Sequence, residues 1–216
     1  MAIAARQLFR DTTRRRQYDL SKFRRMAASD PPMDRVFTDA LELVRQTLQA
    51  DRCAYAVRGV DGQGFRLIAG IGWDPGVIGR DSLSGLAGSL GAHTILVGRS
   101  VIVEDLRLVP SFRVEPLMVT SGTRSTLTAP VRGQRGTSGL LGAFSSRRRL
   151  YSLEEAEFLL GLADVIAAAL YREDWKRQMT RPPMQDGFSR LVDPSGCSAD
   201  PGNDRASPPR MGRGSR

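Results

Sequence analysis

The sequence is poor in the residues that carry most metal and phosphate chemistry. It has one histidine, His93, two cysteines, Cys53 and Cys197, and two lysines, Lys22 and Lys176. One imidazole and two distant thiols cannot assemble a zinc set. Ser21 and Trp175 precede the lysines, so there is no Gly-x-x-x-x-Gly-Lys-Ser/Thr phosphate loop. The strand lysine and catalytic loop of a protein kinase are missing too. The two thiols lie in different segments, which suits a reducing cytosol. Long apolar runs are also lacking. The longest, Phe158 to Leu170, is thirteen residues and contains Asp164, short of the roughly 20 that a membrane span needs. The N-terminus holds Arg6, Arg10 and then an arginine triplet without an apolar core, which is not a signal peptide.

What is present is enough for one domain with extensions: 216 residues, 41% of them apolar. The net charge of +9 is unevenly spread. Residues 1–35 carry nine basic and four acidic groups, residues 36–172 fifteen and thirteen, and residues 173–216 eight and six. The middle is close to neutral, so nucleic-acid binding is disfavoured and the basic excess belongs to the N-terminus.

Residues 1–28 permit a helix with a thin apolar stripe, Leu8, Phe9, Leu20, Phe23 and Met26. Ser29–Pro32 is a break and a helix start. Phe37, Leu41, Val44 and Leu48 then form one helical face. The period next changes to two. Cys53, Tyr55 and Val57 share one side of a first strand, and Phe65, Leu67, Ala69, Ile71 and Trp73 share one side of a second, with an Asp61-Gly62 hairpin turn between them. A glycine-rich stretch leads to a short central strand, Ser100–Val103. Two further strands, 125–133 and 139–146, are joined by a turn over 133–138. Ser152 and Glu155 make a capping box that opens a last helix running to about Arg177. From Arg181 onward, proline, glycine and serine make up sixteen of thirty-six residues, which reads as a disordered tail. Antiparallel strands flanked by helices at both ends indicate an α+β sandwich.

Most candidate chemistry weakens on inspection. Gly70–Gly76 approaches the dinucleotide fingerprint, but its spacing is one residue too long and Pro75-Gly76 turns where a helix should begin. Glu104 and Asp105 are neighbours, so an extended backbone sends them to opposite faces. They do not make an acid–base pair; one is solvated and the other caps the following turn. His93 lines a pocket, ligates haem or simply hydrogen-bonds. Cys53 reads as a buried apolar thiol, and Asp164 as a helix-edge or interhelical contact.

The series DALELVRQTLQADRCAYAV, LIAGIGW, GRSVIVEDLRLVPSFR, SGTRSTLTAPVRG, GLLGAF and RRRLYSLEEAEFLLGLADVIAAAL resembles the GAF domain family, closest to the sensor modules of bacterial histidine kinases and diguanylate cyclases. The resemblance covers Asp34 to Arg172. It implies a five- or six-stranded antiparallel sheet with the N- and C-terminal helices packed on one face and a mixed helix and loop pocket region on the other. By that analogy Trp73, His93, Asp105, Phe112, Arg113 and Thr126 lie near the ligand pocket. The bilin cysteine of phytochromes, a cyclic-nucleotide signature and the reactive cysteine set of the GAF-fold methionine sulfoxide reductases are not in the aligned region.

The expected organisation is a basic N-terminal extension over 1–32, a GAF-like sensor domain over 33–177 and a tail over 178–216. The expected role is a cytosolic, non-enzymatic bacterial sensor that binds a small ligand or a partner protein and transmits through its terminal helices, with no output domain of its own. A homodimer through those helices would bury surplus apolar surface between Phe158 and Leu170, and a histidine kinase or diguanylate cyclase would supply the output. No cofactor is named, and neither a membrane nor a metal is expected. Two other readings stand beside it: a truncated or degenerate sensor that only dimerises, and an adaptor for nucleic acid or an acidic partner through residues 10–25.

Overall fold

The computed structural model describes residues 2–180 apart from 60–63, 85–86, 111 and 135. The Asp61-Gly62 turn and the tail from Arg181 therefore lie outside the described residues.

Helix α1 (Ala2–Ala28) is followed by α2 (Met33–Leu48), β1 (Arg52–Arg58), β2 (Gly64–Ile71) and β3 (Asp81–Ser84). Then come α3 (Leu90–Val97), β4 (Val101–Val103), a 3-10 turn (Leu106–Leu108), α4 (Pro116–Thr120), β5 (Ser125–Gly133), β6 (Gly136–Ser145) and α5 (Leu153–Thr180). The six strands form one antiparallel sheet in the order β3-β2-β1-β6-β5-β4. The strand that the sequence suggests as central, β4, is an edge strand: it pairs only with β5. At three residues it is a short edge, which leaves little unpaired backbone.

Helices α1, α2 and α5 cover one face. The α2 stripe of Phe37, Leu41, Val44 and Leu48 is buried against Cys53 and Tyr55 of β1, Leu127 of β5 and Leu141 of β6, together with Leu159, Leu162 and Ile166 of α5. The surplus apolar surface of α5 is met by α1 of the same chain. Phe23 and Ala27 are buried there, and Leu20 lies over Gly161 so closely that an added Cβ would stand 2.7 Å from its side chain. The capping box forms as the spacing predicts. Ser152 N–H donates to Glu155 Oε2 at 2.8 Å, and Glu155 N–H to Ser152 Oγ at 3.2 Å. Glu155 Oε1 also receives Arg149 at 2.7 Å and Arg16 of α1 at 3.2 Å. One buried carboxylate thus ties α1 and the β6–α5 connection to the start of α5.

Two details depart from simple periodicity. Phe65, Leu67, Ala69 and Ile71 do not share a side, because the β1–β2 register slips between Tyr55 and Ala56 and leaves Ile68 as an extra residue. The bulge turns β2 over: Ala69 and Ile71 pack with the helix-side core, while Phe65 and Leu67 pack on the opposite face. The β5–β6 turn is also tighter than 133–138, since Gly133 already pairs with Gly136. Gly136 takes φ 114°, a backbone region that suits glycine.

Candidate functional site

The face of the sheet away from the long helices has small residues at its centre. Ala54 and Ala56 of β1 and Gly142 of β6 form a floor with Leu67, Leu140 and Thr128 around it. At Gly142 a Cβ would stand 2.5 Å from the Phe144 ring, which folds back over it. Leu90 and Gly91 of α3, Leu106 of the 3-10 turn, Met118 of α4 and the segment 112–115 roof this floor over. They enclose a cavity of about 40 Å³.

The loops that make the roof are held in specific ways. Ser89 caps α3 by accepting from Ala92 N–H at 3.1 Å. Arg113 N–H donates to Gly88 C=O at 2.7 Å, stitching the roof segment to the α3 entry. Asp105 is buried; its Oδ1 accepts from Arg107 N–H at 3.1 Å and its Oδ2 pairs with Arg124. The Arg124 guanidinium holds the Asp105 carboxyl below the usual carboxylate range. Its neighbour Glu104 turns the other way, to Arg148 at 3.0 Å. The two carboxylates diverge and share no centre.

Of the residues singled out from sequence, Trp73, Phe112 and Arg113 line the cavity. Trp73 donates from Nε1 to Cys53 C=O at 3.0 Å, meets Phe144 edge-on at 5.2 Å and has Arg52 over its ring at 5.7 Å. His93 stands outside the lining and packs edge-on against Phe112 at 5.0 Å. Asp105 lies in the 3-10 turn cap behind the roof. Thr126 is fully buried on the cavity-side face of β5, opposite Phe144 and Val103, and is not among the lining residues. Its Oγ1 has no hydrogen-bond partner among the described residues. The sequence reading missed Ala54, Ala56, Leu90, Met118 and Gly142, all ordinary apolar or small residues with no chemical signature. The one available clue was the run of small residues on otherwise β-branched or aromatic strands.

Cys53 faces the helix layer, on the opposite side of the sheet from the cavity. Its Sγ lies 3.2 Å from Leu41 C=O, and burial pushes its thiol up to about 12. A thiol so rarely ionised is a poor nucleophile. Among the described residues no three His, Cys, Asp or Glu side chains come together to hold a metal ion, and no helix is long and apolar enough to cross a membrane.

A six-stranded antiparallel sheet with long terminal helices on one face and a roofed cavity on the other defines an α+β domain with one sealed and one hollow face. The chain belongs to the GAF domain family, whose model matches residues 32–170. Its fold is similar to that of the GAF domain of a phosphoenolpyruvate-protein phosphotransferase from Coxiella burnetii (TM-score 0.66, 18% identity, covering 77% of this chain and 98% of that one). It is also similar to the free methionine-R-sulfoxide reductase of Neisseria meningitidis, solved with its substrate (TM-score 0.61, 14% identity, 76% and 91% covered). A third similar structure is a domain of a putative two-component sensor histidine kinase from Sinorhizobium meliloti (TM-score 0.54, 16% identity, 68% and 98% covered). No curated protein matches the chain.

Proposed function

We propose that this protein is a cytoplasmic, non-catalytic signalling sensor that binds a small molecule in the roofed cavity and passes occupancy to its terminal helices. The observation that carries the reading is a pair of links, three hydrogen bonds in all, from the roof side of the sheet to α5. Arg132 bridges them: one guanidinium nitrogen bonds Gly98 C=O, at the end of α3, at 3.1 Å, and the other bonds Asp164 of α5 at 2.7 Å. Ser100 Oγ, between α3 and β4, donates to Ala156 C=O of α5 at 2.9 Å. A ligand that favours one position of α3 thereby favours one position of α5.

The signal leaves along the C-terminal half of α5, where Tyr171, Trp175 and Met179 recur every four residues and are all at least half exposed. That stripe suits a second copy of the chain or the helix of a histidine kinase or diguanylate cyclase. It takes over the dimer argument from Phe158–Leu170, whose apolar surface α1 already covers. The test is hydrogen exchange along α5, with native mass spectrometry of freshly purified protein to detect a co-purified small molecule. Removing that molecule should change α5 protection in the wild type and change it less in Arg132→Ala, which keeps only the Ser100 link. Identical α5 exchange with and without the bound molecule in the wild type would refute transmission.

A further inference from the structure

The walls of the cavity say what kind of molecule it takes. The side-chain donors in its interior are already committed. The Trp73 indole N–H is used by Cys53 C=O. Thr94 spends its proton on Leu90 C=O at 2.9 Å, so in the Thr94–Thr128 contact at 2.7 Å the proton comes from Thr128. The remaining wall is aromatic and aliphatic. A charged or strongly polar group placed there would lose its water and find no free side-chain donor in the interior in exchange, a loss of several kcal/mol for a neutral polar group and far more for a charge.

The ionisable side chains on the lining do not alter this. Arg113 is exposed at the rim, while Glu115, two residues away on the same segment, is nearly buried and already engaged. Their charges are opposite, so the rim selects neither an anion nor a cation. At the N-terminus of α3, Ser89 Oγ already takes the Ala92 N–H. Size narrows the choice further. About 40 Å³ is roughly three times the ~10–15 Å³ that one water needs.

We infer that the cavity takes an uncharged, apolar molecule no larger than one small ring or a short branched chain. This rests on the sensor reading only for its consequence, since binding itself can be measured alone. Trp175→Phe leaves Trp73 as the sole tryptophan, so its emission reports directly on the cavity. Toluene, benzoate and benzylamine present the same ring as neutral, anionic and cationic probes at pH 7. Toluene should change Trp73 emission saturably, and the two charged analogues should bind at least ten-fold more weakly. Ala56→Leu, which fills the floor, should weaken toluene at least ten-fold. Met118→Ala, which widens the roof, should shift preference from toluene to p-xylene by three-fold or more.

Benzoate or benzylamine binding as tightly as toluene would overturn the inference. So would no saturable response to toluene in the Trp175→Phe protein, or an unchanged toluene affinity in a folded Ala56→Leu protein. Toluene binding without any change in α5 exchange would leave the ligand class standing and remove the sensor reading. A change in α5 produced by benzoate alone would do the reverse.

Discussion

On the helix side of the sheet, Leu48, Leu127, Leu141, Leu159, Leu162 and Ile166 have no exposed surface at all. On the other side the walls meet imperfectly and leave a cavity, under a roof of short elements, α3, the 3-10 turn and α4. The same strands serve both faces, so the contrast comes from what covers them. Long helices supply continuous apolar stripes, whereas short elements joined by loops must spend side chains on caps and turns. One face holds the fold together and the other is left able to change shape.

The contrast is sharpest in core truncations. Leu162→Ala should cost about 3–4 kcal/mol, within the range for a sealed leucine whose neighbours cannot collapse. Met118→Ala opens onto space that already exists and gives up fewer contacts, so it should cost about 2 kcal/mol or less. Urea denaturation of both variants decides the matter, and equal losses would mean that the two faces are packed alike.

The helix side was the more legible face in the sequence for the same reason. A stripe such as Phe37, Leu41, Val44 and Leu48 has one period and one destination, and Ser152 with Glu155 announces its own geometry. The bulge at Ile68 left no trace, because β2 alternates evenly in sequence while its two halves serve opposite cores. The packing of α1 was faint: its stripe is thin because Phe23 and Ala27 do most of the burial. Of the cavity, Trp73, Phe112 and Arg113 came from family resemblance. The floor of Ala54, Ala56 and Gly142 left only a run of small residues as a clue, since a small residue has meaning only once its neighbours across the sheet are known.

The joint between the regions should be next in effect. Glu155→Ala strands the Ser152 N–H and takes the carboxylate partner from Arg16 and Arg149, and should cost about 1–2 kcal/mol. Glu155→Gln keeps the capping box and should recover about half of that loss in the same urea experiment. No difference between the two would show that the ion pairs, and not the cap, hold the joint.

On the cavity side, acid should act on the Asp105–Arg124 pair that holds the 3-10 turn. The folded pKa of Asp105 lies below the ordinary carboxylate value, so its contribution is complete above that value and is lost as pH falls through the folded one. Stability measured in urea should therefore fall as pH drops below about 4, and Asp105→Asn, which has no proton to take up, should make that fall shallower. An equally steep fall in Asp105→Asn would show that this carboxylate contributes nothing to the acid limit.

Alkali should act on the opposite face, with the smallest effect at neutral pH. Burial pushes Cys53, Tyr55 and Tyr151 up to about 12, and all three belong to the helix-side core. As pH rises past 9 to 10 the unfolded chain releases these protons while the folded chain keeps them. Stability therefore falls toward pH 12, by up to about 1.4 kcal/mol per pH unit for each proton. Tyr151 isolates one of the three. Its ring carries Arg149 stacked at 4.5 Å, and its buried hydroxyl has no hydrogen-bond partner among the described residues. Tyr151→Phe keeps the ring and the stacking and removes only the unsatisfied hydroxyl. At pH 7 its stability should stay within about 0.5 kcal/mol of the wild type or rise slightly, while its decline above pH 10 becomes shallower by one proton. A loss of a full kcal/mol at pH 7 would mean that the hydroxyl is bonded in solution, and that the helix side is less dry than its packing implies.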